Sequence, residues 1–311
     1  MVLTILLFLS CAAAAAAAAQ DTWVRERVGL LSLEGPPESE RAVHSLAARA
    51  AVILPQVESS LGLRPARLYR MVLVPALGLR DSTLARMDEA APEWAAGYMI
   101  PARRIGAIRI ARAAQYPYGT LESVLAHEAT HLLLYDAARG RLPLWFDEGV
   151  ATWEGRRWSP EDAWIYARGL LTSDLPRLAD LDTLFHATAS EAELAYAASF
   201  AFVSWNAHRH GPALLPRVLA ESRTRPFALA WQAAAGEPLA QSEASWRRDS
   251  LIRYRWLPLV TASSTIWGLV ALLAAWAGVL RRARARAFRE RWREEEEREP
   301  ESFTPAGPAE E

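Results

Sequence analysis

The chain has 311 residues, of which 51% are hydrophobic and 23% are charged. This composition is typical of a globular protein and excludes a largely disordered one. The formal net charge of −1 gives no reason to expect nucleic acid as a partner, because nucleic-acid binding needs a strongly basic surface. The single cysteine, Cys11, lies near the N-terminus, which excludes disulfides and thiolate metal ligands from the rest of the chain.

Residues 1–19 carry no charge and combine an apolar stretch with a run of alanines. We predict that this segment is a secretory signal peptide, cleaved near Ala19. Two alternatives stay open: an uncleaved anchor, or a bacterial lipoprotein signal in which Cys11 is acylated.

Residues 20–255 are predicted to form one extracytoplasmic domain. Apolar residues recur at helical spacing from Val43 to Leu61, and Gly62 is suited to end that helix, which Pro55 is expected to kink. Strands are predicted at 68–74 and 105–111, with a helix at 75–86 between them. Further helices are predicted at 120–138, 144–153, 161–171, 191–209, 212–222, 227–235 and 241–253. Strands followed by helices predict an α+β fold with a small N-terminal sheet.

Residues 256–280 contain no charged residue. A helix of this length can cross about 30 Å of hydrocarbon. We predict a transmembrane helix there, with a buried core helix as the alternative. Arginines follow it closely, so the positive-inside rule places the C-terminus in the cytoplasm and residues 20–255 in the periplasm or outside the cell. The remaining tail, 281–311, is basic and then acidic, and is predicted to be disordered. The lipid bilayer is therefore a predicted partner, through residues 256–280.

The sequence His127-Glu128-Ala129-Thr130-His131 is an HExxH motif within a predicted helix. Histidines four residues apart lie on one helical face, so both imidazoles can bind a single zinc ion. Glu128 follows the first histidine and is placed to take a proton from a zinc-activated water. The alternative is a pair of ordinary histidines on a half-buried helix.

A second segment, Leu-Trp-Phe-Asp-Glu-Gly-Val-Ala, begins at Leu144 and places Glu148 17 residues after His131. A short preceding loop with Pro143 lets this second helix fold back on the first. Two histidines and one carboxylate leave one tetrahedral position open, which is typical of a catalytic zinc site.

The two motifs together resemble those of the gluzincin zinc metallopeptidases, and most closely those of the bacterial peptidase MA-like domain. The resemblance covers roughly residues 40–250 and implies a zincin-like domain that hydrolyses peptide or protein substrates. It implies that His127, His131 and Glu148 bind Zn²⁺, with Glu128 as general base and then as acid to the leaving amine.

The resemblance also implies roles for four neighbouring parts of the chain. Tyr196 matches a position where such enzymes place a tyrosine that donates to the oxyanion, although a core tyrosine is the alternative. Asp147 adjoins the ligand Glu148 without being one, and Thr152 is expected to orient a ligand histidine. The strand at 105–111 is expected to pair with an extended peptide, as edge strands of the family do.

Hydrolysis of peptide bonds is the leading hypothesis for function. A catalytically weak module that binds peptides or envelope partners is the alternative, and a metal-buffering protein would need more histidine or cysteine. The other histidines are expected to be solvated or paired residues outside the site; they are His44, His186, His208 and His210.

Overall fold

The computed structural model describes residues 23–254, apart from 77–78, 80–81, 92, 94, 116, 139–140 and 173–174, and residues 263–298. The chain divides into two compact units, residues 1–255 and 256–311. Three predicted parts of the chain lie wholly or partly outside the described residues. They are the signal peptide at 1–19, the first residues of the membrane segment at 256–262, and the end of the tail at 299–311.

Within the described residues five strands form one mixed sheet, with helices Glu40–Leu61 and Ser82–Ala90 between them, and the elements after the last strand are all helical, in keeping with the predicted α+β fold. The strands are β1 (Val24–Val28), β2 (Leu31–Gly35), β3 (Tyr69–Val74), β4 (Gly97–Ile100) and β5 (Ile105–Arg109), in the spatial order β1-β2-β3-β5-β4. The central pairs β2–β3 and β3–β5 are parallel, whereas β1–β2 and β4–β5 are antiparallel. The sequence predicted β3 and β5 and missed the other three.

The expectation that the strand at 105–111 pairs with a peptide is wrong. Strand β5 already has a neighbour on each side, since it pairs with β3 through Arg70 to Val74 and with β4 through Gly97 to Ile100. The last strand of the sheet on this side is β4, which has only four residues. So short a segment gives no detectable alternation, which is why the sequence did not reveal it.

Most of the first unit is helical. In chain order the helices are α1 (Glu40–Leu61), α2 (Ser82–Ala90), α3 (Ile110–Ala113), α4 (Leu121–Ala138), α5 (Leu144–Gly155), α6 (Pro160–Thr172), α7 (Leu178–Leu184), α8 (Ala189–His210), α9 (Leu214–Ser222), α10 (Phe227–Ala235) and α11 (Leu239–Tyr254). Helix α1 continues past Pro55 and ends at Gly62, whose φ of 64° provides a left-handed cap. The helix predicted at 75–86 instead begins at Ser82.

Helix α4, which carries the HExxH motif, lies between two hydrophobic clusters. Val124, Leu125 and Leu132 pack in the cluster beneath the sheet, with β2, β3 and α1. Leu133 and Leu134, on the same helix, pack in the cluster of the helical half. A helix with apolar residues on most of its surface belongs in the interior. Its polar residues are therefore held at the junction between sheet and helices.

The second unit contains one described helix, α12 (Ser263–Arg298). The prediction that the tail is disordered from residue 281 is therefore wrong for residues 281–298, which continue this helix. Within residues 23–254 and 263–298, no helix combines the length and the apolar character that crossing a membrane requires. The predicted transmembrane segment at 256–280 therefore stays a prediction from the sequence.

Candidate metal centre

The two histidines of the HExxH motif point into one cavity from the same face of α4. Their Nε2 atoms lie 3.1 Å apart, and their ring centroids lie 4.7 Å apart with the ring planes nearly perpendicular. Both side chains are largely buried. The four-residue spacing thus places the imidazoles side by side, as predicted.

The second motif forms helix α5, which begins directly after Pro143. The residue before the helix supplies no side-chain cap, so the backbone N–H groups of Leu144 and Trp145 donate instead to the carboxylate of Asp182 on α7, at 3.2 and 2.8 Å. Trp145 and Phe146 are buried in the helical cluster, where they contact Phe227. With these aromatics in the core, the adjacent Asp147 and Glu148 are left facing α4.

Two glycines allow α5 to lie close to its neighbours. A Cβ atom at Gly155 would lie 2.9 Å from the Ser123 carbonyl oxygen and 3.0 Å from the Cβ of His127. A Cβ atom at Gly149 would lie 2.7 Å from the carbonyl oxygen of Ser199 on α8. Any side chain at either position would push the helices apart, so both glycines serve the close packing that brings the carboxylate to the histidines.

Glu148 completes a cluster of three potential metal ligands. Its Oε2 atom lies 3.5 Å from His127 Nε2 and 3.7 Å from His131 Nε2. One ligand atom from each residue lies within 4.8 Å of the others, and this Oε2 atom is buried without a hydrogen-bond partner among the described residues. A buried carboxylate oxygen without a partner is costly. Two imidazole nitrogens and one carboxylate oxygen are the donors that zinc prefers, so the residues present fit a metal ion.

Asp147 holds one of the two histidines. Its carboxylate contacts the Nδ1 atom of His131, which turns the Nε2 atom of that ring toward Glu148. A carboxylate behind a ligand histidine fixes the orientation of the ring and strengthens it as a ligand. Thr152 was expected in this role, and that prediction is wrong. It lines the cavity, but it makes no hydrogen bond to either imidazole, and the buried Nδ1 of His127 has no partner among the described residues.

Glu128 is buried against the edge strand of the sheet. A Cβ atom built on Gly97 of β4 would lie 2.8 Å from the Oε1 atom of Glu128 and 2.7 Å from Val124. Only glycine leaves room there for the carboxylate. This contact could not be predicted from the sequence, because Gly97 lies 31 positions before Glu128 and in a strand that the pattern did not predict.

The electrostatic environment differs between the ionisable groups. Burial raises the pKa of Glu128 to about 8, an effect to which the charges of Glu148 and Asp147 add and which His131 opposes. Burial lowers the pKa of His127, whereas for His131 the nearby carboxylates outweigh burial and raise the pKa to about 10. The pKa of Glu148 is lowered, because attraction to the histidines outweighs its burial. Three carboxylates beside two imidazoles favour a cation at this point.

Two tyrosines face the same cluster. The hydroxyl of Tyr196, on α8, donates a hydrogen bond to the carboxylate of Glu148, and its ring packs edge to face on Phe185 at 4.8 Å. Tyr118 precedes α4, and its ring meets that of His127 at 5.1 Å and 72°. Burial raises the pKa of both hydroxyls well above the ordinary value, so both remain protonated donors. The sequence predicted Tyr196 and missed Tyr118.

The cluster opens into a cavity of about 610 Å³. Its walls are the β4 strand with its flanking residues, helices α4 and α5, and the start of α8. Arg156 lines it too, but forms a two-point ion pair with the carboxylate of Asp162, in which Nη2 and Oδ1 are 2.7 Å apart. Most of the lining surface is apolar, so the cavity suits apolar groups of a ligand.

The remaining histidines lie outside the metal cluster, as expected. His44 pairs with Glu26 at 2.8 Å, and His208 contacts the carbonyl oxygen of Ser204 at 2.7 Å. His210 lies 3.7 Å from Glu237. His186 is satisfied by the Asp182 carbonyl oxygen at 3.2 Å, although it also lines the cavity.

Comparison with known proteins agrees with this geometry. A family model described as the peptidase MA superfamily matches residues 81–249, which is more than half of the chain. The match extends from the start of α2 to the last helix of the first unit and includes every residue of the His127, His131 and Glu148 cluster. No curated protein matches the chain.

Proposed function

The chain belongs to the peptidase MA superfamily, and we propose that it is a zinc-dependent peptidase of the gluzincin type. His127, His131 and Glu148 would hold the ion. The observation that carries the proposal is the buried Glu148 Oε2 atom, which faces the Nε2 atoms of both histidines and has no hydrogen-bond partner among the described residues. Membership of this family implies peptide or protein substrates.

Three protein ligands are the number found in catalytic zinc sites, where a fourth position is left for water or substrate. When bound, zinc supplies a Lewis acid that polarises a carbonyl oxygen and lowers the pKa of water to about 7. Asp147 keeps the ring of His131 turned toward the site, and the buried carboxylate of Glu148 remains ionised because its pKa is lowered.

Glu128 is the proposed general base. Its carboxylate lines the cavity beside the metal cluster, and burial raises its pKa when no cation is bound. A bound Zn²⁺ would favour the ionised carboxylate, which can accept a proton, while burial keeps that carboxylate more basic than one in water. We propose that Glu128 accepts a proton from the attacking water as the carbon–oxygen bond forms. It then delivers this proton to the leaving amine nitrogen as the carbon–nitrogen bond breaks.

Tyr196 is the proposed oxyanion donor. Its hydroxyl stays protonated and is hydrogen-bonded to Glu148, the third proposed ligand. Tyr196 also lines the cavity. A hydroxyl fixed there can donate to the oxygen that becomes negative when the substrate carbonyl is attacked. Removal of such a donor typically costs about 10²–10³ in kcat.

An extended substrate is proposed to lie along β4. This strand is the last of the sheet on that side within the described residues, and three of its four residues line the cavity. The exposed edge of a strand offers backbone donors and acceptors to a peptide that adds as a further strand. Such binding would present a peptide bond to Glu128, which lies directly against Gly97 of the same strand.

The test is metal analysis and peptide hydrolysis for the full chain, the Glu148→Ala variant and the Glu128→Gln variant. We expect the unmodified protein to bind one zinc ion and to cleave peptides. Glu148→Ala should lose both properties, whereas Glu128→Gln should keep zinc and lose activity by about 10²–10⁴-fold. Glu193→Gln, at an exposed acid on the cavity wall, is the matched control and should change neither greatly.

A fully active Glu128→Gln variant would contradict the mechanism. Zinc binding without hydrolysis of any peptide in a library would instead support the alternative of a catalytically weak module that binds peptides or envelope partners.

We also propose, from the sequence, that residues 256–280 anchor the peptidase domain in a membrane, with the domain outside the cytoplasm. The described helix α12 has exposed large apolar side chains in this segment, among them Trp267, Leu272 and Trp276, and arginines directly follow. Extraction of cell membranes at alkaline pH tests the anchor. Release of the protein into the supernatant would contradict it, and protease added to intact spheroplasts reports the side on which the domain lies.

A further inference from the structure

The two ligand histidines are held by different means. The Nδ1 atom of His131 is paired with the carboxylate of Asp147. The side chain of His127 is only 4% exposed, and its buried Nδ1 atom has no hydrogen-bond partner among the described residues. Ligand histidines ordinarily donate this second ring nitrogen to a carboxylate or carbonyl, and that bond fixes the ring. Something other than a hydrogen bond must therefore orient His127.

Ring packing confines the imidazole of His127. The ring of Tyr118 meets it edge to face, with centroids 5.1 Å apart at 72°, and the ring of His131 lies 4.7 Å away at 85°. The backbone at Gly155 also comes close, since a Cβ atom there would lie 3.0 Å from the Cβ of His127. Edge-to-face pairs of aromatic rings at this spacing are attractive and have a preferred geometry.

Backbone hydrogen bonds hold Tyr118 and the residue that follows it. Its backbone N–H donates to the Gln115 carbonyl oxygen at 3.1 Å, and the next residue, Gly119, adopts a φ of 77° that favours glycine. Thr120 then begins α4, because its hydroxyl accepts the N–H of Ser123 at 3.1 Å. These contacts place Tyr118 directly before α4, the helix that carries His127.

We infer that Tyr118 is a positioning residue for the metal centre, whose aromatic ring orients His127 in place of the missing hydrogen bond. This inference rests on the proposed function, since it concerns how the zinc ligand is held. Because the contact is made by the ring, phenylalanine should serve as well as tyrosine at this position. Alanine or leucine should remove one of the ring contacts that keep the imidazole beside that of His131.

The experiment measures zinc affinity of the full chain by competition with a chelator, together with the visible spectrum of the Co²⁺-loaded protein. We expect Tyr118→Ala to weaken zinc binding by about 10–100-fold, as for other residues behind a ligand, and to change the Co²⁺ spectrum. Tyr118→Phe should match the unmodified protein in both. Tyr135→Ala, at another tyrosine that lines the cavity, is the matched control and should also match it.

Circular dichroism of the metal-free proteins establishes that each variant is folded, and Tyr118→Leu replaces the alanine variant if that one is not. Unchanged zinc affinity and an unchanged Co²⁺ spectrum in a folded alanine or leucine variant would overturn the inference. So would an equal loss in Tyr118→Phe, because the hydroxyl rather than the ring would then be needed. Absence of zinc binding by the unmodified protein would instead overturn the proposed function, so the two failures are distinguishable.

Discussion

On the helical wall of the cleft, formed by α5 and α8, functional side chains are held by hydrogen bonds to carboxylates. Asp147 holds His131, and Tyr196 donates to Glu148. On the sheet wall, formed by β4 and the turn before α4, the contacts are close and uncharged. Gly97 packs against Glu128 and the ring of Tyr118 against His127. Charged contacts are thus concentrated on the helical wall, whereas the sheet wall restrains Glu128 and His127 through close, uncharged contacts.

This difference has a physical reason. Carboxylates already present at the site can orient a ligand and offset the charge of a bound cation at the same time. For Glu128, the proposed general base, a positively charged side chain paired with the carboxylate would instead lower its pKa. An uncharged wall of glycine and apolar residues leaves the pKa of Glu128 raised by burial, to about 8. The comparison predicts that damage to the two walls produces different defects.

The largest effect is expected on the sheet wall, from Gly97→Ala. The added methyl group would lie 2.8 Å from Oε1 of Glu128, so the carboxylate must move. A displacement of about 1 Å in a catalytic group typically costs about 10²-fold in rate. We expect kcat/KM for a peptide to fall by about that factor, while zinc content stays unchanged.

Gly106→Ala on β5 is the matched control for this change. Its methyl group would be equally crowded, 2.8 Å from the Tyr98 carbonyl oxygen, but it would not touch Glu128. It should lower stability and leave kcat unchanged, and because Tyr98 belongs to β4, where the substrate is proposed to lie, a kinetic change should be confined to KM. Equal losses of kcat in the two variants would show that the sheet wall acts only through stability.

On the helical wall, Asp147→Asn is expected to weaken zinc binding by about 10–100-fold, because His131 loses the carboxylate behind it. Competition with a chelator measures this. Asp182→Asn is the matched control. It removes a carboxylate that accepts the Trp145 N–H at the start of α5, the helix that carries Asp147, and that does not contact the metal cluster. It should leave zinc affinity nearly unchanged, and a similar loss in both variants would mean that Asp147 acts on the helix rather than on the histidine.

The smallest effect is expected between the walls, from Gly155→Ala. Its methyl group would meet the Ser123 carbonyl oxygen at 2.9 Å, and overpacking of this kind costs about 1–3 kcal/mol in the free energy of unfolding. Urea denaturation of the metal-free protein measures it. At Gly169 on α6 the nearest atoms belong to the flexible side chain of Leu194. Gly169→Ala should therefore cost much less, and an equal cost would argue against tight packing of α5 on α4.

Many of the helices could be predicted from the sequence. The apolar repeat from Val43 to Leu61 predicted α1 within three residues, and Gly62 ended it as expected. The sheet was harder. Strands β1 and β2 are as long as β5, but charged residues interrupt their apolar positions (Arg25, Glu26 and Arg27 in β1, Glu34 in β2), and β4 has only four residues. The edge position was then assigned to β5, because the order of strands depends on pairings between distant segments.

The metal cluster shows the same division. The spacing of His127 and His131 is a local property, since residues four apart share a face of any α-helix, and the motif around Glu148 identified the third residue. The roles of Asp147, Tyr118 and Gly97 were not readable, because each depends on a contact between separate elements.

By itself the sequence determined which side chains can bind a metal and on which helices they lie, because helical periodicity acts over a few residues. Only the tertiary structure decided what surrounds them: a carboxylate behind one histidine, an aromatic ring beside the other, and a glycine against Glu128. These neighbours come from segments far apart in the chain, and their positions follow from the packing of α4 between the sheet and the helices.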